Sequence, residues 1–489
     1  MNFRGRTVAF IVAITMIFSS LGTAVIVGSG GILDQLSNGS LLSTSAPGPS
    51  SNYDDHSKKI EEAYNLIRSQ YVRDVSDQKL IDGAIQGMVG ALGDPHSAYM
   101  DPNQANQFKS DLQSSFTGIG AEVTMKNGRL TIVSPFKESP AEKAGIQPED
   151  QVIKVNGESL EGMNVNEAVS KIRGPKGSKA KLEIVRPGVQ DVLNITVIRD
   201  VIPLETVEAE MINNEIGRIT VSQFSEDTAT DFAKGLKNLE QKGMKGLVID
   251  VRGNPGGLLP TVLKMCDELV PDNKVVLMTE DKSGKRTVYR AEGNKDSKSY
   301  PIAVLIDRGS ASASEILAAA LKEAGGHTLV GETTFGKGTV QSARDFSDGS
   351  NLKLTIAKWL TPKGTWIDQH GGTKGIKPDV PVKYPDYVTA VPPQPNQPLK
   401  RDQNSVEVKQ LQIVLEALGY KTGRTDGYFD QQTELAVKAF QKTKNIAVTG
   451  QLDPKTADHL RESLNDLKRD PKNDVQLQVA IQVLKKKIQ

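Results

Sequence analysis

The chain has 489 residues, room for about three domains, and a net charge of +1, so bulk charge makes no case for a nucleic-acid partner. An apolar content of 37% is low for one compact globule and points to polar linkers between units. The single cysteine, Cys266, excludes an intrachain disulfide, and five scattered histidines offer no metal-ligand spacing; no metal and no cofactor is expected.

The N-terminus carries location. Arg4 and Arg6 precede residues 8–27, an uncharged stretch long enough to span a bilayer. The arginines favour an N-in, single-pass membrane anchor, with a cleaved signal segment as the rival for residues 1–30. Either one places the remainder outside the cytoplasm, membrane-anchored or secreted. Residues 31–55 are rich in Ser, Gly and Pro and read as a linker. Residues 56–112 read as helices from the apolar spacing of IEEAYNLIRSQYV and LIDGAIQGMVGAL, with a break at GDPHSAYMDP.

Residues 113–200 alternate short strands with two short helices. Asn127-Gly128 marks a hairpin, SPAEKAGI a helix with a serine cap and a glycine stop, and NVNEAVSKIRG a second helix. A turn at Gly118, Ile119 and Gly120 offers backbone N–H groups to a terminal carboxylate, and the strand after it can pair with an extended peptide. GIGAEV, SPAEKAGIQPEDQVIKVNG and EAVSKIRGPKGSKAKLEI resemble a PDZ domain, which implies peptide binding at those three residues. Arg173 is a candidate charge link to the next unit, against a plain surface arginine.

Residues 201–385 alternate strands and helices, which argues a layered α/β core with crossovers. IGRITVSQF, GLVIDVRG, KVVLMT, IAVLIDRG, TLVGETT and NLKLTIAKWLTP read as strands. DTATDFAKGLKNLEQKG, GGLLPTVLKMCDELV and SEILAAALKEAGG read as helices, with Cys266 a small buried hydrophobe in the second. Residues 386–402 are a Pro-rich linker. Residues 403–465 form a small helical unit with Leu411, Val414, Leu415 and Leu418 on one apolar face and Leu435, Val437, Ala439 and Phe440 on another. LQIVLEALGY, DGYFDQQTELAVKAFQ and TGQLDPKTADHL resemble a peptidoglycan-binding three-helix module, which implies peptidoglycan as a partner. Residues 466–489 end in a basic amphipathic helix, read as a packing helix in preference to a membrane-surface one.

The chemistry centres on DRGSASASEILAAALKEAGG. Ser312 with Glu315 fits a capping box. The same position holds a hydroxyl where the amides of a helix N-terminus favour developing negative charge. A serine nucleophile needs a base, and neither His327 nor His370 is set up as one. Lys337, between Gly336 and Gly338, is the better candidate. Burial there would lower its pKa from about 10.4 toward the 7–8 that a base needs; the rival is a solvated loop lysine. IDVRGNPGGLL brings a second Gly-rich helix start, where the amide of Gly256 or Gly257 can join that of Ala313 as an oxyanion donor. Asp250 and Arg252 bracket this loop structurally.

GSASASEILAAAL, VGETTFGKGTVQ and IDVRGNPGGLL together resemble the carboxyl-terminal processing, or tail-specific, serine peptidases, and the resemblance extends over residues 56–385. It implies a multidomain α/β fold: a crotonase- and tail-specific-protease-like layered core, an inserted PDZ domain, an N-terminal helical region and a small three-helix module. It also implies an endopeptidase in which Ser312 is the nucleophile, Lys337 the general base and Gln341 the residue that orients the lysine. The PDZ domain would recognise substrate C-terminal segments or gate the site with them, and signalling proteolysis is a role known from the family. DVQLQVAIQVL resembles the end of the family's core, which makes the three-helix module an insertion before a returning helix. The helical segments at 56–112 and 474–489 are candidate homodimer surfaces. Four residues of ideal strand span about 13 Å, so either the chain bends at Gly338 or the contact between Lys337 and Gln341 is less direct than the family role implies. If Ser312 is the nucleophile, its capping-box contact should be missing or compromised. A wall-bound PDZ scaffold with an inactive peptidase region is the rival of another class; intact Ser312, Lys337 and Gln341 argue against it.

Overall fold

The computed structural model describes residues 51–126, 128–293, 298–395 and 397–489. The expected anchor at 8–27 and most of the linker lie outside these residues. No described helix is long and apolar enough to cross a membrane.

The core is a six-stranded sheet in the order Val207–Met211, Ile216–Val221, Gly246–Asp250, Ile302–Ile306, Thr328–Gly331, Val380–Pro381. The first pair is antiparallel and the rest are parallel. Every residue of Gly246–Asp250 and Ile302–Ile306 is buried, as expected of parallel strands covered on both faces. Alternate residues serve the two faces. Leu247, Ile249, Ile302, Val304 and Ile306 pack with the helices Thr228–Gln241, Leu259–Leu269 and Ala313–Glu323. Val248, Ala303, Leu305 and Val330 pack with Leu477, Ala480, Ile481 and Leu484 of the C-terminal helix Val475–Ile488. That basic helix is therefore a packing element, and the three-helix module interrupts the chain just before it.

A second sheet forms a further layer of the expected layered core. It consists of Val275–Asp281, Arg286–Arg290, Thr339–Asp345, Asn351–Leu360 and the short strand Ala98–Met100, all antiparallel. Val276, Leu277, Val340 and Trp359 from this sheet share a core with Ala313–Glu323, which is buried from Ala313 to Leu321. Three consecutive alanines, Ala318 to Ala320, suit a helix enclosed in this way. The strand Ala98–Met100 comes from the N-terminal region, otherwise helical at Ser51–Gln70, Asp77–Gly90 and Pro102–Leu112.

The PDZ unit has strands Ala121–Lys126, Arg129–Pro135, Gln151–Val155, Lys179–Val185 and Leu193–Ile198 in that spatial order. Ala121–Lys126 is the edge strand, and Lys126 faces Arg129 across the expected hairpin. The helix Pro140–Lys143 is capped by Ser139, and Gly145 follows it at φ +79°. A two-stranded ribbon, Ser115–Gly118 with Asp200–Pro203, closes the neck of the unit.

The small module packs Val406–Ala417, Gln431–Thr443 and Pro454–Arg469 around Leu411, Val414, Leu415, Val437 and Phe440. One expected face is corrected. Leu435 and Ala439 are exposed, and Thr433, Ala436, Val437 and Phe440 point inward. Spacings of three and four share a helix face, and a spacing of two does not.

Candidate active site

The strand Ile302–Ile306 runs into a tight turn and then into the helix Ala313–Glu323. Three serines line the turn, and their hydroxyls have different fates. Ser310 Oγ donates to the Val251 carbonyl at 2.8 Å, and Ser314 Oγ donates to the Asn254 carbonyl at 2.9 Å. Both therefore tie this turn to the Gly-rich loop 253–257. Ser312 Oγ is buried without a hydrogen-bond partner. Its backbone sits at φ +53°, ψ −112°, a sparsely populated conformation for an L-residue that costs about 1–3 kcal/mol. A sharp strand-to-helix turn that forces a serine into strain is the logic of a nucleophile elbow.

The capping box is half made. Ser312 N–H donates to Glu315 Oε2 at 2.9 Å, while the hydroxyl that should return the bond is left open. Glu315 serves another purpose. The same Oε2 accepts from the Lys337 amide at 2.8 Å, and Oε1 accepts from the Gly336 amide at 2.7 Å and from Thr334 Oγ1 at 2.6 Å. One fully buried carboxylate therefore joins the backbone of the serine to the backbone of the lysine loop. Burial pushes its pKa up, and its four donors oppose that. With every partner a donor, the site is built for the carboxylate form.

Lys337 is 2% exposed. Its carbonyl accepts from Trp359 Nε1 at 2.7 Å, and the Gly338 carbonyl accepts from Trp366 Nε1 at 2.9 Å. A Cβ on Gly338 would fall 1.8 Å from the Ile367 carbonyl oxygen, so only glycine lets the two segments meet. Burial, aided by the charge of Lys353, pushes the Lys337 amine down to about 7 against the opposing pull of Glu315 and Asp94. This is the depression a lysine base requires.

Gln341 is fully buried on Thr339–Asp345. A register shift between Val340 and Gln341, added to the Gly338 approach, breaks the ideal strand between lysine and glutamine. The irregularity lies past Gly338, and the Gln341 side chain reaches Thr339 and Thr355 and makes no hydrogen bond to Lys337. Gln341 Nε2 donates to Thr339 Oγ1 at 2.8 Å and to Thr355 Oγ1 at 3.1 Å, and its Oε1 is buried without a partner.

On the oxyanion side, Gly256 lies against the serine: a Cβ there would meet Ser312 Cβ at 2.8 Å. Its N–H donates to Asn254 Oδ1 at 2.8 Å, so Gly256 is not a free donor. The pairing with Phe224 uses the Gly256 carbonyl and the Leu258 amide, which turns the intervening Gly257 amide the other way. Of the two glycines, Gly256 therefore has its amide taken by Asn254, while the Gly257 amide faces away from Phe224. Arg252 pairs with Asp250 and with Asp474, at 2.6 Å each, and so locks the start of this loop to the C-terminal helix.

Several other expected residues lie elsewhere. His327 follows the far end of Ala313–Glu323 from Ser312, and His370 is an exposed loop residue. Cys266 is fully buried and its thiol is pushed up by burial. Arg173 Nη1 donates to Gln107 of the N-terminal region at 3.3 Å, and its guanidinium lies 5.0 Å over the Phe116 ring. It links the PDZ unit to the helix Pro102–Leu112. In the turn before the PDZ edge strand, Ile119 is buried and Gly120 has φ +77°.

Residues 215–382 match the peptidase family S41 model, and residues 131–186 match a PDZ domain. Residues 31–104 match the activating protease CtpB N-terminal domain, and residues 404–460 a putative peptidoglycan binding domain. Carboxy-terminal processing protease CtpB of Bacillus subtilis is 49% identical over 429 residues, 87% of this chain and 88% of that protein. Carboxy-terminal processing protease CtpA of the same organism is 45% identical over 480 residues, 98% of each. The chain belongs to peptidase family S41, as a carboxy-terminal processing serine protease.

Within this S41 protease, Asp94, His96 and Lys353 lie within electrostatic reach of the lysine, and Thr355 joins them through Asp94. Asp94 and His96 come from the GDPHSAYM break, which sequence marks as a motif without giving it a role. Thr355 and Lys353 lie on Asn351–Leu360, where strand alternation gives no hint of chemistry. Burial, reinforced by Lys337, pushes the His96 imidazole down to about 4, so it is neutral near pH 7. Lys353 is also buried, with its pKa lowered by desolvation and its ammonium 5.2 Å over the Phe108 ring.

Proposed function

We propose that this protease is an endopeptidase with a Ser312–Lys337 dyad assisted by Gln341, acting outside the cytoplasm on protein substrates. The observation that carries the reading is the Glu315 carboxylate that joins the backbone of an unpartnered, strained serine to that of a buried lysine, whose amine burial pushes down to about 7. Neutral Lys337 takes the Ser312 proton as Oγ attacks the peptide carbonyl carbon. The Gly257 and Ala313 amides receive the oxyanion; one such donor is worth about 3 kcal/mol of barrier. The C–N bond then breaks as the Lys337 ammonium returns its proton to the leaving amine. Water, deprotonated by Lys337, releases the acyl group and regenerates the hydroxyl.

The PDZ unit takes the substrate's C-terminal segment. Ala121–Lys126 is an edge strand beside the helix Val165–Ile172; Gly118 ends the strand Ser115–Gly118, and Ile119 and Gly120 form the link into the edge strand, where a terminal carboxylate would sit. The small module turns the enzyme toward peptidoglycan. A surface cavity of about 520 Å³ lined by Arg401, Tyr428, Gln431, Gln432 and Leu435 supports that reading. Residues 8–27 tether the chain to the membrane. Exposed Ile60, Leu66, Ile67, Met88 and Leu92 on the N-terminal helices support a homodimer.

The test is cleavage of an unfolded polypeptide by the wild type, by Ser312→Ala, and by a deletion of residues 115–198. The reading expects no turnover from Ser312→Ala and altered discrimination between tailed and untailed substrates in the deletion. Equal activity of Ser312→Ala and wild type overturns the nucleophile, and unchanged discrimination overturns the PDZ role.

A further inference from the structure

Gln341 presents a problem of direction. Its side-chain amide has a donor end and an acceptor end, and only the acceptor end is useful beside an amine that becomes an ammonium. The structure contains a device that fixes which end faces where. Thr355 Oγ1 donates its one proton to Asp94 Oδ2 at 2.6 Å. Asp94 also accepts from Ser97 Oγ and from the His96 amide. Burial works to raise the Asp94 carboxyl, but the donors from Ser97, Thr355 and the His96 amide outweigh it and hold the group below the ordinary carboxylate range. An ionised carboxylate has no proton to give, so the Thr355 hydroxyl can turn only one way.

With its proton committed, Thr355 Oγ1 offers a lone pair to Gln341, and only the NH₂ end can meet it. It does so at 3.1 Å, with Thr339 Oγ1 taking the second N–H at 2.8 Å. Oε1 is thereby turned to the opposite side, where it is buried and has no partner. We propose that Asp94 is a positioning residue for the lysine base, acting through Thr355 to hold the Gln341 carbonyl oxygen toward the amine. The oxygen is an acceptor held ready for the ammonium that Lys337 becomes on taking the Ser312 proton. The inference rests on the Ser–Lys reading and extends the site into the N-terminal region. Pairing of Ala98, Tyr99 and Met100 with Lys353, Leu352 and Asn351 clamps that segment beside Thr355. The Ser97 hydroxyl adds a bond from the Thr355 amide at 3.0 Å.

The test measures kcat, KM and the pH profile of the full-length protein on an unfolded β-casein substrate. It compares wild type, Asp94→Asn, Thr355→Val, Thr355→Ser, the Asp94→Asn/Thr355→Val double variant and Ser312→Ala. Asp94→Asn and Thr355→Val should each lower kcat by about 10- to 100-fold with KM within about twofold. On the alkaline plateau, where Lys337 is already neutral and the Asp94 charge no longer alters its protonation, the double variant should match Thr355→Val alone, because both cut one chain of bonds. Thr355→Ser keeps the hydroxyl and should keep most of the activity. The charged and titratable groups facing Lys337 are Lys353, Glu315, Asp94 and His96, with Asp368 beside His96. Losing the carbonyl acceptor and the Asp94 charge destabilises the ammonium, so the acid limb of the Asp94→Asn profile should move to lower pH. Unchanged kcat in Asp94→Asn, losses that multiply in the double variant, or a Thr355→Ser loss equal to that of Thr355→Val would overturn the proposal. If Asp94→Asn does not fold, the Thr355→Ser and Thr355→Val pair decides. Activity surviving in Ser312→Ala would instead overturn the dyad on which the inference rests.

Discussion

Two serines at helix starts, Ser405 and Ser312, follow the same sequence rule and end in different states. Ser405, before Val406–Ala417, has an extended backbone and accepts from the Val408 amide at 3.3 Å. Asp430 and Asp453 cap the other two helices of that module at 2.8 Å each. Ser312 has a left-handed φ and an unused hydroxyl, and its capping work has passed to Glu315. All three helices of the small module have a side-chain cap, whereas the core helices that start at Asp227, Leu258 and Ser312 have none. Of these three starts only Ser312 carries a hydroxyl, and only Ser312 adds a left-handed φ to the missing cap.

The largest effect should come from removing the unused hydroxyl. Ser312→Ala should lower kcat by roughly 10⁴-fold or more, as nucleophile deletions do. Its unfolding free energy should stay within about 0.5 kcal/mol of wild type, because the hydroxyl makes no bond to lose. Denaturant titration beside a cleavage assay checks both halves.

Glu315→Gln should rank next. It replaces one acceptor oxygen with a donor facing other donors, a cost of about 1–3 kcal/mol in stability. It also loosens the register between serine and lysine, so kcat should fall by about 100-fold. A loss of stability without a loss of kcat would make Glu315 an ordinary cap and weaken the contrast with Ser405. The smallest effect belongs to Ser405→Ala. It should cost about 1 kcal/mol in unfolding of the small module and leave peptidase turnover unchanged.

Sequence made the serine's neighbourhood legible because backbone chemistry is local. The strand, the small-residue turn and the helix are consecutive, and so are the glycines around Lys337. What it left open was decided across long separations. Gly256 and Gly257 look equivalent until Asn254 Oδ1 takes the Gly256 amide. Asp94 and Thr355 are 261 positions apart, and only the pairing of Ala98–Met100 with Asn351–Lys353 makes them neighbours. Lys353 reads as an ordinary strand lysine until its burial beside a second lysine is seen. In the small module, hydrophobicity alone puts Leu435 in the core, but the helical period set by Thr433, Ala436, Val437 and Phe440 turns it outward. The exposed leucine proved to line the surface cavity.

Burial pushes the Lys337 amine down to about 7, so the neutral form becomes the majority just above that pH. Below about pH 7 the amine is protonated and cannot take the Ser312 proton; above it the base form dominates. Between about 7 and the ordinary 10.5, the unfolded chain binds a proton that the folded chain does not. Burial of this residue therefore becomes less unfavourable to stability as pH rises through that window. The most direct test is the pH dependence of kcat/KM on an unfolded substrate between pH 5 and 11. The account predicts a rise with a single apparent pKa near 7 and a plateau above pH 8. A rise centred near 10, the value of a solvated lysine, would contradict it.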